Sequence, residues 1–92
     1  TDQALFRQSQ LFKRSKQYDK AEANYLQIIA DYPKDILADD AHYYLADLYN
    51  LVLARPDEAK DLYEKIIFNF EDSIYFVEAR KKFRMLRGDT IN

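Results

Sequence analysis

His42 is the only histidine in this 92-residue chain, and Asp39 and Asp40 stand just before it. An imidazole beside carboxylates could serve as a general base or contribute to a metal site. The rest of the sequence does not support either use. No serine is placed to pair with His42, and no further ligand stands at a metal-binding interval. The chain has no Cys, which excludes thiolate nucleophiles, disulfides and thiolate zinc sites. A calcium loop needs alternating oxygen ligands and a turn glycine, and a phosphate cradle needs a glycine-rich loop. The chain holds one glycine, Gly88. His42 is therefore expected to pack, and the chain is read as a non-enzyme without cofactor or metal. Asp35, Asp39 and Asp40 crowd the start of one helical segment, where the positive end of the helix dipole stabilises carboxylates, so capping is their expected role.

Charge narrows the partners. The net charge is −2, so no overall field draws the chain to nucleic acid or acidic lipid. The charge is nevertheless segregated: residues 31–61 hold eight acidic and three basic side chains, and residues 78–92 hold five basic and two acidic. Arg80, Lys81, Lys82, Arg84 and Arg87 could meet phosphates, which gives a rival reading as a basic-ended adaptor for nucleic acid or acidic membrane through 80–87. A solvated terminal helix is the simpler account.

The elements that would position these residues are helices. Hydrophobic residues make up 48% of the chain and charged residues 33%, the balance of a globular domain. One Gly and two Pro are too few for the many turns of a sandwich or barrel. No apolar run approaches the ~20 residues of a membrane span. Apolar spacings of three and four mark helices near 2–15, 18–31, 37–52, 56–69 and 73–87. Pro56 suits a first helical turn, Pro33 stops the second helix, and Gly88 is expected to close the last one in a left-handed cap.

The sequence also repeats. Shifted by 38 residues, Asp19, Ala21, Tyr25, Ile28, Ile29 and Tyr32 fall on Asp57, Ala59, Tyr63, Ile66, Ile67 and Phe70. The first helix follows at an offset of 37, with Ala4, Ser9, Leu11 and Phe12 falling on Ala41, Ala46, Leu48 and Tyr49. The extra residue must lie around Leu51–Pro56. Ala21 and Ala59 are expected where paired helices come closest, facing Phe12 and Tyr49. The fold expected is all-α: five helices in a right-handed stack of antiparallel hairpins, about two and a half repeats. Residues 1–35 form the first unit, 36–72 the second, and 73–88 a capping helix whose outer side carries Arg80, Arg84 and Arg87.

These residues resemble the tetratricopeptide repeat. The first unit supplies Leu5, Gln8-Ser9, Phe12, Ala21, Tyr25 and Pro33; the second supplies His42, Leu45-Ala46, Tyr49, Ala59 and Tyr63. Gln8, His42 and the missing second Pro (Glu71 in its place) depart from the pattern, and the units exceed the family's 34 residues. Long units with an aromatic-Pro corner are similar to those of bacterial envelope proteins such as the barrel-assembly lipoprotein and the Tol–Pal-associated periplasmic protein. That likeness favours an envelope location.

The resemblance implies a non-catalytic scaffold whose first helices line a concave groove for a protein partner, either an extended peptide or a partner helix. By the family's geometry the groove would carry Phe6, Gln10, Lys13 and Arg14, then Asp40, Tyr43, Tyr44, Asp47 and Asn50, then Lys81, Lys82 and Met85. The alternative use of Tyr43 and Tyr44 is to complete packing between helices. Asp40 and Asp47 would repel a terminal carboxylate, so the clamp by which some members hold a chaperone's C-terminus is not expected here. Ala4 and Leu11 repeat the docking pair Ala41 and Leu48, yet no hairpin precedes them. The chain therefore reads as a piece of a longer protein, with self-association possible through that face.

Overall fold

Apolar residues three and four apart give each segment one stripe to bury, and the segments meet this need by packing in sequence. The computed structural model describes residues 2–88. It contains α1 (Asp2–Arg14), α2 (Tyr18–Asp31), α3 (Ala38–Leu51), α4 (Pro56–Asn69) and α5 (Phe76–Arg87). Each helix packs chiefly on the next, giving a stack of hairpins. α3 lies between α2 and α4 and buries seven residues, among them Ala41, Leu45, Ala46 and Leu48. Among the described residues, α1 packs chiefly on α2 and α5 chiefly on α4; α1 fully buries Ser9, and α5 fully buries Ala79.

The small residues sit where the repeat places them. Ala21, Ala46 and Ala59 have no exposed surface, and neither does Ser9, whose hydroxyl donates to the Leu5 carbonyl at 2.8 Å. Tyr25, Ile28, Tyr63 and Ile66 are likewise fully buried and fill the same places in the two hairpins. On α5, Phe83 and Leu86 pack against this core, while Arg80 and Arg84 are exposed. Gly88 has φ 89°, the left-handed closure expected of it.

The two hairpin turns show where the offset changes. Residues 15–17 join α1 to α2 and residues 52–55 join α3 to α4, so the extra residue lies in the second turn. Lys16 (φ 63°) and Ala54 (φ 54°) both take the left-handed conformation. This lets the Gln17 amide reach the Phe12 carbonyl (2.7 Å) and the Arg55 amide reach that of Tyr49 (2.9 Å).

The corner between hairpins corrects two expectations. α5 begins at Phe76 rather than at 73, and α3 at Ala38 rather than 37. Residues 73–75 form a turn instead: the Ser73 amide donates to Phe70 (3.0 Å) and the Phe76 amide to Ser73 (3.1 Å). The Ser73 hydroxyl also accepts the Tyr75 amide at 3.0 Å. A serine bonding its own following backbone competes with helix formation. The same turn recurs at the first corner, where Asp35 donates to Tyr32 and Ala38 to Asp35. α2 ends at Asp31, just before Tyr32 and Pro33, and α4 ends alike at Asn69 without a proline. The Phe70 amide donates to Ile66 as the Tyr32 amide does to Ile28. Phe70 turns inward against the core with no proline after it.

Successive hairpins are joined by a polar link. Glu22 on α2 accepts from the Tyr49 hydroxyl (2.6 Å) and from Arg55 (2.9 Å), tying α2 to α3 and to the following turn.

Candidate functional site

The first helices present one face in common, and its floor is set by a tyrosine from each second helix. The Tyr25 hydroxyl donates to Gln10, and the Tyr63 hydroxyl to Asp47. These pairs are equivalent in the repeat. They hold α1 to α2 and α3 to α4 from the groove side.

Above this floor runs a strip of half-buried rings. Phe6 meets Tyr44 edge-on across α1 and α3, with ring centroids 5.4 Å apart. Tyr44 meets Tyr75 at 6.0 Å, and Tyr43 stacks on Tyr75 at 4.4 Å with 15° between planes. Tyr43 and Tyr44 therefore complete inter-helix packing and line the surface at once. Leu37 holds in the first corner the place that Tyr75 holds in the second, and it borders a shallow depression of about 470 Å³ with Gln3, Phe6, Arg7 and Gln10.

Two ammonium groups lie against the strip. Lys13 stands 5.1 Å from the Tyr44 centroid, and burial lowers its pKa although Asp47 favours the charge. Lys82 reaches from α5 to the Tyr43 hydroxyl (2.8 Å) and to Asp47 (2.9 Å). Burial works against the charge on Lys82, yet these bonds outweigh it and its pKa is raised. Asn50 lies beside Tyr63. Arg14, Lys81 and Met85 are exposed at the edges, Lys81 at 3.8 Å from Glu78.

Asp39 and Asp40 depart from their expected capping role. The N-terminus of α3 has no side-chain cap. Asp39 instead accepts from the Ser73 hydroxyl at 2.6 Å, bracing the next corner. Burial, then repulsion from Asp39 and their mutual hydrogen bond, push Asp40 up to about 6. The sign follows: Asp40 holds its proton more tightly folded than unfolded. Its favourable contribution is complete below its ordinary value of 3.8 and is lost as pH rises through about 6. Asp40→Asn should therefore raise the melting temperature at neutral pH and leave it little changed below pH 3.8. Calorimetry across that range checks it, and a variant that melts lower at neutral pH would contradict the assignment.

His42 is 6% exposed. Its Nδ1–H donates to the Ala38 carbonyl at 2.7 Å and its ring lies 5.3 Å from Phe70. Burial lowers its pKa. Both observations describe a packing residue on the side of α3 that meets α4.

Tyr75, Leu37 and Tyr63 belong to the floor and rim of this face but are not among the residues that the sequence assigns to the groove. Tyr63 could have been found, because its repeat mate Tyr25 marks a core place in both units. Tyr75 carried no such signal, since its mate is Leu37. On the other side of α1, Ala4 and Leu11 are exposed, Leu11 by 54%. Among the described residues, no helix is long and apolar enough to cross a membrane.

A family model described as tetratricopeptide repeat matches the chain twice, over residues 3–35 and 40–73. The matches span the two hairpins α1–α2 and α3–α4 and end before α5. No curated protein and no solved structure matches the chain.

Proposed function

The chain belongs to the tetratricopeptide-repeat family, and from that premise we propose that it is a non-catalytic scaffold holding a peptide or partner helix on its first-helix face. Repeats of this family generally mediate protein–protein interaction. The observation that carries the reading is the strip Phe6, Tyr44, Tyr43 and Tyr75, which is continuous from α1 to the start of α5 and only half buried. Aromatic rings give large contact area at low entropy cost, and the flanking Lys13 and Asp40 can set register. Residues 1–35 and 36–72 act as the two binding units, and 73–88, which contain α5, close the stack with Arg80 and Arg84 exposed. The long repeat and the Tyr32-Pro33 corner support a role in bacterial envelope assembly.

The basic residues of α5 are divided: Arg80 and Arg84 are exposed, and the others have neighbours within the chain. Lys82 is turned toward Asp47, Lys81 toward Glu78, and Arg87 lies over the Phe83 ring.

Peptides selected from a random displayed library against the full chain test the reading. Binding should fall at least about tenfold in a Phe6→Ala, Tyr44→Ala double variant that stays helical. Phe68→Ala, on the exposed side of α4, should bind as the parent does. Equal losses in both variants would move the binding surface elsewhere.

A further inference from the structure

The groove does not present the charge that its sequence suggests. Asp40 and Asp47 would make its floor acidic, but the fold pairs Asp47 internally and leaves Asp40 on α3 without an ion pair among the described residues. Asp47 is paired with Lys82 at 2.9 Å and accepts the Tyr63 hydroxyl. Asp40 stands beside Asp39, near Tyr44 and Tyr75, and takes up a proton near pH 6. Lys82 is likewise spent within the chain.

The cations of α1 are not. Arg7, Lys13 and Arg14 make no ion pair among the described residues, where the paired cations are Arg55, Lys81 and Lys82. After Asp2, α1 holds no acidic residue. Lys13 is half buried against Tyr44, a position that strengthens its attraction for an incoming anion. Arg7 borders the depression floored by Phe6 and Leu37. Arg7 and Arg14 are one heptad apart on α1, about 10 Å, which is the reach of about three residues of extended peptide.

We propose that the first-helix face recognises an acidic segment of another protein in extended form, with carboxylate side chains on Lys13, Arg14 and Arg7 and an apolar side chain between them in the Phe6–Leu37 depression. Charge complementarity selects this occupant: α1 presents Arg7, Lys13 and Arg14 with no carboxylate of its own after Asp2, and the depression floored by Phe6 and Leu37 lies beside them. A basic segment would meet Arg7, Lys13 and Arg14 along α1, which holds no acidic residue after Asp2. Recognition is through side chains, so a terminal carboxylate is not required. The proposal rests on the scaffold reading above.

The test uses the full chain and a labelled peptide of repeating Asp-Leu-Glu, blocked at both ends, with its Asn-Leu-Gln counterpart. Fluorescence anisotropy should show the acidic peptide binding about tenfold tighter than the amide one at low salt. Lys13→Gln should remove most of that preference, whereas Lys65→Gln on α4 should keep it. Equal binding of the two peptides, or a Lys13→Gln variant that keeps the preference, overturns the proposal. The scaffold reading would then stand if library-selected peptides still depend on Phe6 and Tyr44, and would fall with it if they do not. Displacement of the acidic peptide by polyuridylate would reassign the α1 cations to phosphate, and so also overturns the proposal.

Discussion

Tyr63→Ala is expected to leave the chain largely without a cooperative melting transition above ambient temperature. Tyr63 is fully buried, its ring lies 6.0 Å from that of Tyr43, and its hydroxyl donates to Asp47. Removing a buried aromatic side chain costs about 3–5 kcal/mol, because the cavity left behind collapses only in part. A folded domain is stable by about 5–15 kcal/mol, and a chain this short sits near the lower end. The loss corresponds to a fall of roughly 20 °C in melting temperature. Tyr63→Phe keeps the ring and leaves Asp47 paired with Lys82, so its cost should be only about 1–2 kcal/mol. Thermal melts followed by circular dichroism separate the two. An alanine variant that melts within a few degrees of the parent would show that Tyr63 does not anchor the second hairpin.

Ala59→Leu should destabilise the chain by the opposite error. Ala59 has no exposed surface and sits in the α3–α4 hairpin, where Ala46 of the facing helix is also fully buried. Three extra carbons there must displace neighbours or force off-rotamer side chains, at a cost of about 1–3 kcal/mol. Ala21→Leu should behave alike in the first hairpin. Ala23→Leu, at an exposed place on α2, should change the melting temperature little. Equal melting of Ala59→Leu and Ala23→Leu would contradict the close approach of α3 and α4.

The sequence displays these packing sites because close packing constrains size, and size is written in residue type. Ala21 and Ala59, or Tyr25 and Tyr63, recur at one interval and are buried alike. What periodicity cannot display is the choice of polar partner. Asp39 looked like a helix cap because the dipole argument is local, but its partner Ser73 lies 34 residues away. The same limit hid the Lys82–Asp47 pair and the Glu22 link to Tyr49 and Arg55. Residues 73–75 read as helix because the apolar spacing runs through them, whereas the Ser73 hydroxyl diverts the backbone into a turn. Tyr75 was overlooked for that reason, although it bridges Tyr43 and Tyr44 at the centre of the aromatic strip. Of the groove residues named from the sequence, Phe6, Lys13, Tyr43, Tyr44, Asp47 and Lys82 are linked by ring and polar contacts, whereas Arg14, Lys81 and Met85 are exposed at the edges. Their charges could be assigned only after the internal pairs were known.

The claim that the first helices form the partner-binding face is tested most directly by mapping backbone amide shifts of the full chain as a library-selected peptide is added. The largest shifts should fall on α1, α3 and the start of α5, around Phe6, Lys13, Tyr44 and Tyr75. Shifts concentrated on the exposed sides of α2 and α4, around Leu26 and Phe68, would contradict it.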